Sequence, residues 1–459
     1  MTDNRTVMNS HVHTIQQAWA TKRAAKDLER TVLLLKRGIW LYFLLLIFEG
    51  ALRKWFLPAL ATPLLVVRDP IALALLAIAY HKGLFPRNGL MVAFIVAALI
   101  SFFLTLLVGH GNLFVAVYGI RILIIHVPFM FLIGKVFRQQ DVVEIGKAIL
   151  WIAIPMTVLV ALQFYSPQSA WVNRGVGGDM EGAGFSGALG YARPPGTFSF
   201  TTGTTLFYSM LAPFVLYFWL QKNKALSLWI LVAASMGLLA AIPLSISRGL
   251  FFQIGVSTLF ATFIVIKRPA LLKSLIAGLV SFALLLVALS NLPFFQTAIE
   301  VFMTRFERAN ESEGGLEGVL IDRFLGGMYG AVFGDREIPL WGFGLGMGTN
   351  VGAMLLAGRL TFLISEGEWG RLIGEMGFLL GLTIIVLRIL ATIKIGLKSY
   401  QGLANNNILP WLLFSFAALN LLQGQWAQPT SLGFTVVAGG LTIAALKNKT
   451  IKHTTTNVR

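Results

Sequence analysis

The sequence predicts an all-α protein that crosses a membrane many times. Three observations predict it. Of 459 residues, 56% are hydrophobic and only 12% are charged. The apolar residues gather in runs near 20 residues long, the length a helix needs to cross a bilayer. Lys and Arg gather in every second connection between those runs, which is the bias that sets orientation in a membrane. The net charge of +17 follows from this bias and from anionic headgroups, so nucleic acid is not expected as a partner. The chain has no cysteine, which excludes disulfides, thiolate metal sites and a cysteine nucleophile.

Residues 1–38 are polar and basic. They read as a cytoplasmic segment without a cleavable leader, in which 14–37 forms a basic surface helix touching anionic lipid. Residues 39–290 hold nine apolar spans, at about 39–57, 64–80, 90–108, 112–137, 143–165, 201–220, 226–244, 249–266 and 272–290. Three more, at about 374–397, 409–424 and 430–446, fill 374–446, and 447–459 is a tail. With the N-terminus inside, the inner connections carry Lys82 and Arg87, then Lys135, Arg138 and Lys147, then Lys222 and Lys224. Next come Lys267, Arg268 and Lys273, then Lys394 and Lys398, then the tail with Lys447, Lys449 and Lys452. Every inner connection is basic, which fits twelve spans with both termini inside.

Two outer connections are long, 166–200 and 291–373, and long loops in compact proteins are usually functional or disordered. In the second, Phe295, Ile299, Phe302, Met303 and Phe306 share one helical face, with Glu300, Glu307 and Arg308 off it. Such a helix lies in the interface or caps the bundle.

A second set of arginines works against the charge bias. Arg53, Arg68, Arg193, Arg248 and Arg371 stand at the outer ends of spans, where cations need a reason to stay. Arg193-Pro-Pro-Gly-Thr-Phe-Ser-Phe leads into a span, and its prolines fix the backbone. Ser245-Ile-Ser-Arg248-Gly joins two spans with almost no loop. Arg248 then sits beside the positive end of a helix, which an anion would offset. Arg53 and Lys54 lie near Arg68-Asp69-Pro70. Either these cations converge on a phosphate, or Asp69 caps a helix and Glu49 pairs with the arginines.

Trp341-Gly-Phe-Gly-Leu-Gly-Met-Gly-Thr-Asn350 reads as a flexible turn. With no strand before it, it is not a dinucleotide loop. Ser365-Glu366-Gly-Glu368-Trp-Gly-Arg371-Leu-Ile-Gly-Glu375-Met-Gly377 runs into the tenth span. Helical spacing pairs Glu368 with Arg371 and Arg371 with Glu375. This is either a structural ion-pair ladder or a carboxylate base tuned by its neighbours. Arg121 and His126 fall inside the fourth span, as functional groups or as bridges between helices. No Walker loop and no His-Glu metal spacing occurs, so neither metal nor cofactor is expected.

Three segments resemble the bacterial O-antigen ligase and Wzy-type polysaccharide polymerase superfamily. Arg193-Pro-Pro-Gly-Thr-Phe is similar to its R-x-x-G-T-F element, Ser247-Arg248-Gly to its S-R-G turn, and Leu372-Ile-Gly-Glu375-Met-Gly377 to its L-x-x-E-x-G entry to a late span. The layout resembles that family over roughly residues 90–446. The resemblance implies a metal-independent, inverting glycosyltransferase with a GT-C-like fold in the bacterial inner membrane. Its donor and acceptor would be glycans on undecaprenyl diphosphate at the extracytoplasmic face. Membrane lipids, a chain-length regulator and a flippase are the expected partners. Ligases of the superfamily carry a histidine nine residues before the glutamate of L-x-x-E-x-G. Here that position is Glu366, which favours a polymerase over a ligase.

On this reading Arg248, helped by Arg53 and Arg68, holds the diphosphate. Glu366 or Glu368 is the base. Arg193 and Arg371 orient the glycan or a second diphosphate, with Glu375 beside them. A transporter or flippase of an anionic lipid is the alternative of another class. It would place its charges near the midplane, on broken helices and in repeated halves.

Overall fold

In the computed structural model every apolar run is helical, because each satisfies its backbone hydrogen bonds internally and has an apolar surface to bury. The structure describes residues 3–182, 184–221, 226–313, 327–334, 337–359 and 361–447. Lys222, Lys224, Lys449 and Lys452, and part of the loop at 291–373, lie outside them.

The helices are α1 (Asp3–Ala51), α2 (Ala61–Leu64), α3 (Arg68–His81), α4 (Gly89–Leu107), α5 (Leu113–Arg121), α6 (Val127–Val136) and α7 (Gln139–Tyr165). Then come α8 (Thr201–Gln221), α9 (Leu228–Leu244), α10 (Arg248–Lys267), α11 (Leu272–Ser290), α12 (Pro293–Glu313), α13 (Gly327–Phe333) and α14 (Asn350–Ala357). The last three are α15 (Glu368–Ala404), α16 (Leu409–Gln423) and α17 (Pro429–Ala445). Among the described residues eight helical segments are long and apolar enough to cross a membrane, or nine if the bent pair Pro58–Leu64 and Arg68–His81 is one span. Leu228–Leu244, Leu409–Gln423 and Pro429–Ala445 are shorter apolar helices. The protein is therefore an all-α polytopic membrane protein.

Contacts between connections separate two ends of the bundle. At one end Lys36 pairs with Asp141 at 2.7 Å, and Lys82 with Asp27 at 2.7 Å. Gln139 bonds Asn407, and Lys447 donates to the Phe137 carbonyl. At the other end Arg53 reaches Ser199, Arg68 reaches Pro429, and Gln425 reaches Glu366. The charge sorting read from the sequence is thus a spatial sorting.

Three elements differ from expectation. The basic stretch 14–37 is helical but is not set apart from the first span, because α1 runs unbroken from Asp3 to Ala51. No proline interrupts it, and Gly38 fits tightly against Leu75. In α12 the buried face comprises Phe295, Ala298, Val301 and Phe302, while Met303 is exposed. The small residues let the helix approach its neighbours, so the face is rotated from the one drawn through the large side chains.

The third difference is in α15, which is not one rod. Gly377 has φ 75° and ψ 172°, a backbone open to glycine and strained for other residues. A straight helix would separate Glu368 from Arg388 by about 30 Å. Yet the Arg388 Nη1 donates to Glu368 Oε1 at 2.7 Å. The chain folds back at Gly377, and the arm 368–376 lies against the start of the helix that follows. Gly381 allows this, since a Cβ there would meet Ile373 Cα at 2.7 Å.

The glycine-rich segment is a packed element, not a loose turn. The break at Gly377 frees carbonyls on the arm, and Phe343 N–H and Gly344 N–H donate to those of Gly374 and Glu375 at 2.8 and 2.9 Å. On its other side Gly346 touches the backbone of Gly119 in α5, and Leu345 N–H donates to Thr105.

Candidate functional site

Three short helices border the end that carries the arginines. Helices α3, α16 and α17 have 14, 15 and 17 residues. At 1.5 Å per residue they reach about 21–26 Å, short of a hydrocarbon core of about 30 Å. Three charged groups gather at this end of the bundle.

The first group is built on Arg193. The hairpin Ser186–Ala188 and Tyr191–Ala192 turns at Leu189 and Gly190, both at positive φ, as the tight turn of a two-residue hairpin demands. Arg193 leaves this hairpin with its N–H held by Phe185 O at 2.8 Å. The residues after it, Pro194 to Ser199, are buried. Gly196 is fixed by Gln163, which donates to its carbonyl and accepts from its N–H, and Lys54 Nζ donates to the same carbonyl at 2.6 Å. The segment is thus an anchored strap across the ends of α1 and α7.

Ile246 sits in the turn before Arg248 with φ 49°, a strained conformation for a β-branched residue and a mark of functional sites. Ser247 caps α10 through Leu250 N–H and bonds Thr205 at 2.9 Å. α12 packs Phe302 and Phe306 on Phe251, and its Arg305 donates to Gly187 O at 3.2 Å. Three elements remote in sequence therefore bring Arg193, Arg248 and Arg305 together. Burial, then the nearby charges of Arg305 and Arg248, push the Arg193 pKa down to about 10. The Arg193 Nε is buried without a partner among the described residues. A site where guanidiniums lie close together and a donor is unused suits an anion.

The second group is the fold-back of α15. Arg371 grips Glu368 through Nε and Nη2 at 3.0 and 2.9 Å, and its Nη1 bonds Glu375 at 2.5 Å. Arg388 completes the set on Glu368 and donates to the carbonyls of Leu421 and Gly424. It also stacks over Trp426 at 3.9 Å. Glu375 accepts from Gly348 N–H at 2.8 Å. Two cations face two carboxylates, all buried. Beside them a small polar cavity is lined by Asn350, Ser365, Glu366, Gln425 and Gln428 among others. Glu366 is exposed there, whereas both oxygens of Glu368 are already held by guanidiniums.

The third group joins Arg53, Arg68 and Arg121. Arg68 Nε bonds Glu49 at 3.1 Å and its Nη2 bonds Pro429 O at 2.8 Å. Arg53 bonds Ser199 at 2.8 Å and Ala61 O at 2.7 Å, with Glu49 at 3.6 Å. Asp69 binds Arg121 at 2.7 Å and His126 at 2.9 Å, and His126 meets Tyr42 at 3.2 Å. This group touches the other two, through Ser199 on the strap and through Pro429, next to Gln428.

Of the candidates read from sequence, Arg193 and Arg248 are brought together, and Glu366, Glu368, Arg371 and Glu375 form one neighbourhood. Arg53 and Arg68 form another. Arg305 and Arg388 were missed. Arg305 follows Phe302 by one helical turn, so the apolar pattern held its signal. Arg388 interrupts an apolar run, which was signal enough to expect a partner.

No family model, curated protein or solved structure matches the chain. Among the described residues no group of three or more His, Cys, Asp or Glu is placed to hold a metal.

Proposed function

We propose that this protein is a polymerase that joins lipid-diphosphate-linked oligosaccharides into a surface polysaccharide. The observation that carries the reading is the convergence of Arg193, Arg248 and Arg305 at the same end of the bundle as the exposed Glu366. In this reading twelve helices cross a bacterial inner membrane, termini inside, in a GT-C-like arrangement. The arginine-bearing end faces outward.

Arg248 and Arg193, with Arg305, hold the donor diphosphate. An acceptor sugar hydroxyl gives its proton to the Glu366 carboxylate while its oxygen attacks the anomeric carbon. The bond from that carbon to the diphosphate oxygen breaks, and the electron pair leaves with the lipid diphosphate. The arginines stabilise that growing charge. Attack opposite the leaving group inverts the anomeric centre. Glu368, held by Arg371 and Arg388, acts as scaffold. Arg53 and Arg68 stand one layer behind, already engaged by Glu49, Ser199 and Pro429.

The test supplies a lipid-diphosphate oligosaccharide to the protein in nanodiscs and follows chain length. Lengthened glycans from wild type, and none from Arg248→Ala or Glu366→Gln, support the reading. No product from wild type, or full activity in Arg248→Ala, overturns it. Transfer to lipid A core alone would make it a ligase.

Two observations favour a second reading. The broken α15 and the buried Arg121 are features of transporters for anionic substrates. Movement of the lipid between leaflets, without new glycosidic bonds, would select that reading in the same nanodiscs.

A further inference from the structure

We infer that Arg53, Arg68 and Arg121 form a second oxyanion site, which takes a phosphate group and is separate from the site of Arg193, Arg248 and Arg305. The charge count asks for it. Three guanidiniums share the two carboxylates of Glu49 and Asp69, and Lys54 stands alongside with, among the described residues, the Gly196 carbonyl and the Trp55 ring as partners. All four cations are buried, with Arg68 3% and Arg121 7% exposed. A buried surplus of positive charge is costly unless a counterion offsets it.

Unused donors lie in the same place. Arg68 Nη1 and Arg121 Nε and Nη2 are buried with no partner among the described residues. Internal water could accept from these N–H groups, but it would leave the charge surplus in place. An oxyanion satisfies both needs, and phosphate matches planar guanidinium donors.

The backbone is bent to present these cations. α1 ends in a π-helical turn, Leu52–Phe56, which contains Arg53 and Lys54. α5 passes into a second π-helical turn, Ile122–His126, directly after Arg121. Such turns are rare and recur at functional sites, and both described here border this cluster. Gly433 adds a third accommodation, since a Cβ there would lie 2.0 Å from Arg68 Nη1. The Arg121 ring contact, with Tyr118 at 3.9 Å, holds its guanidinium flat.

The site is recessed. Arg121 lies eight residues into α5, about 12 Å along the helix from Leu113. The phosphate would be either a free ion entering from the arginine-bearing end or the headgroup of an anionic lipid. The inference does not depend on the polymerase reading, because it concerns binding alone.

The experiment uses the full chain in phosphatidylcholine nanodiscs. One arm titrates inorganic phosphate and diphosphate and reads the thermal midpoint. The other reads retention of phosphatidylglycerol by native mass spectrometry. The double variant Arg193→Ala/Arg248→Ala lacks the first site and is expected to keep saturable binding in at least one arm. Arg121→Lys keeps a charge opposite Asp69 but loses Nε and Nη2, so its affinity should fall about tenfold or more. A response to free phosphate identifies the ion as ligand, and lipid retention alone identifies the headgroup. Loss of all binding in the double variant, or no saturable response in either arm, overturns the proposal. Should Arg121→Lys fail to fold, the double variant decides the matter alone. Absence of glycan elongation would leave these outcomes unchanged.

Discussion

Around Arg371 two guanidiniums face two carboxylates, while Arg193 lies close to the charges of Arg305 and Arg248 and keeps one donor unused. Both groups stand at the same end of the bundle, the first buried and the second half-buried. The first is closed, with each carboxylate held by a guanidinium and Arg388 further pinned by carbonyls. The second is open, with an unused donor and a depressed Arg193 pKa. A closed group stabilises the chain, whereas an open one stores binding capacity for a molecule yet to arrive. Charge at a membrane protein's end is therefore not one signal but two, and partner geometry tells them apart.

The sharpest way to break that contrast is to cut one member from each group. Arg388→Ala leaves Glu368 buried with one partner lost and should cost about 3–5 kcal/mol. A large fall in thermal midpoint and yield would show it, and an unchanged midpoint would refute the closed reading. Arg193→Ala removes a cation that its neighbours repel, so the midpoint should hold or rise. Elongation should nonetheless fall about a hundredfold, in line with loss of a donor to a leaving anion.

A smaller effect is expected at the hinge of the closed group. Gly377→Ala puts a methyl into a position where a Cβ meets Leu340 O at 2.1 Å, on a backbone with φ 75°. Strain of about 1–3 kcal/mol follows, and Trp369 or Trp426 fluorescence would report a shifted arm.

The pH profile sharpens the open group. Arg193 is charged below about pH 10 in the free protein. Diphosphate affinity should hold below that value and weaken as pH rises through it, measured by titration in nanodiscs. Bound anion would move the fall to higher pH. For folding the sign is the reverse. Between about 10 and its ordinary value Arg193 binds fewer protons folded than unfolded, so its contribution to stability grows with pH. The smallest effect is at the lysine-bearing end. Burial and the nearby Arg138 push Lys447 down to about 8. Its part in stability should likewise rise from about pH 8 upward, and Lys447→Met should flatten that slope in a thermal-shift series.

Much of the architecture was legible in the sequence, since apolar runs and basic connections obey solvent rules that act locally. The strap at Arg193 and the turn at Arg248 were legible because proline and a missing loop constrain the chain over a few residues. The hinge was not. Gly377 is one of 46 glycines, and only the approach of Leu340 and Gly342 distinguishes it. The pairing of Glu368 with Arg388 depends on that hinge, so helical spacing found Arg371 and passed over Arg388. The place of Arg305 on α12 was legible one turn after Phe302, but its approach to Arg193 runs past a hairpin that leaves no periodic trace.

The fold-back at Gly377 also bears on how the chain is made. A lone arginine in the apolar stretch after the hinge is costly to hand to lipid, by about 2.5–3.5 kcal/mol at a helix centre. Glu368 leaves the ribosome only 20 residues before Arg388. The counterion is therefore already synthesised when the arginine appears, and the two can enter the bilayer together as a neutral hairpin. On this view the arm is a built-in escort for membrane insertion, at work before the rest of the bundle has assembled.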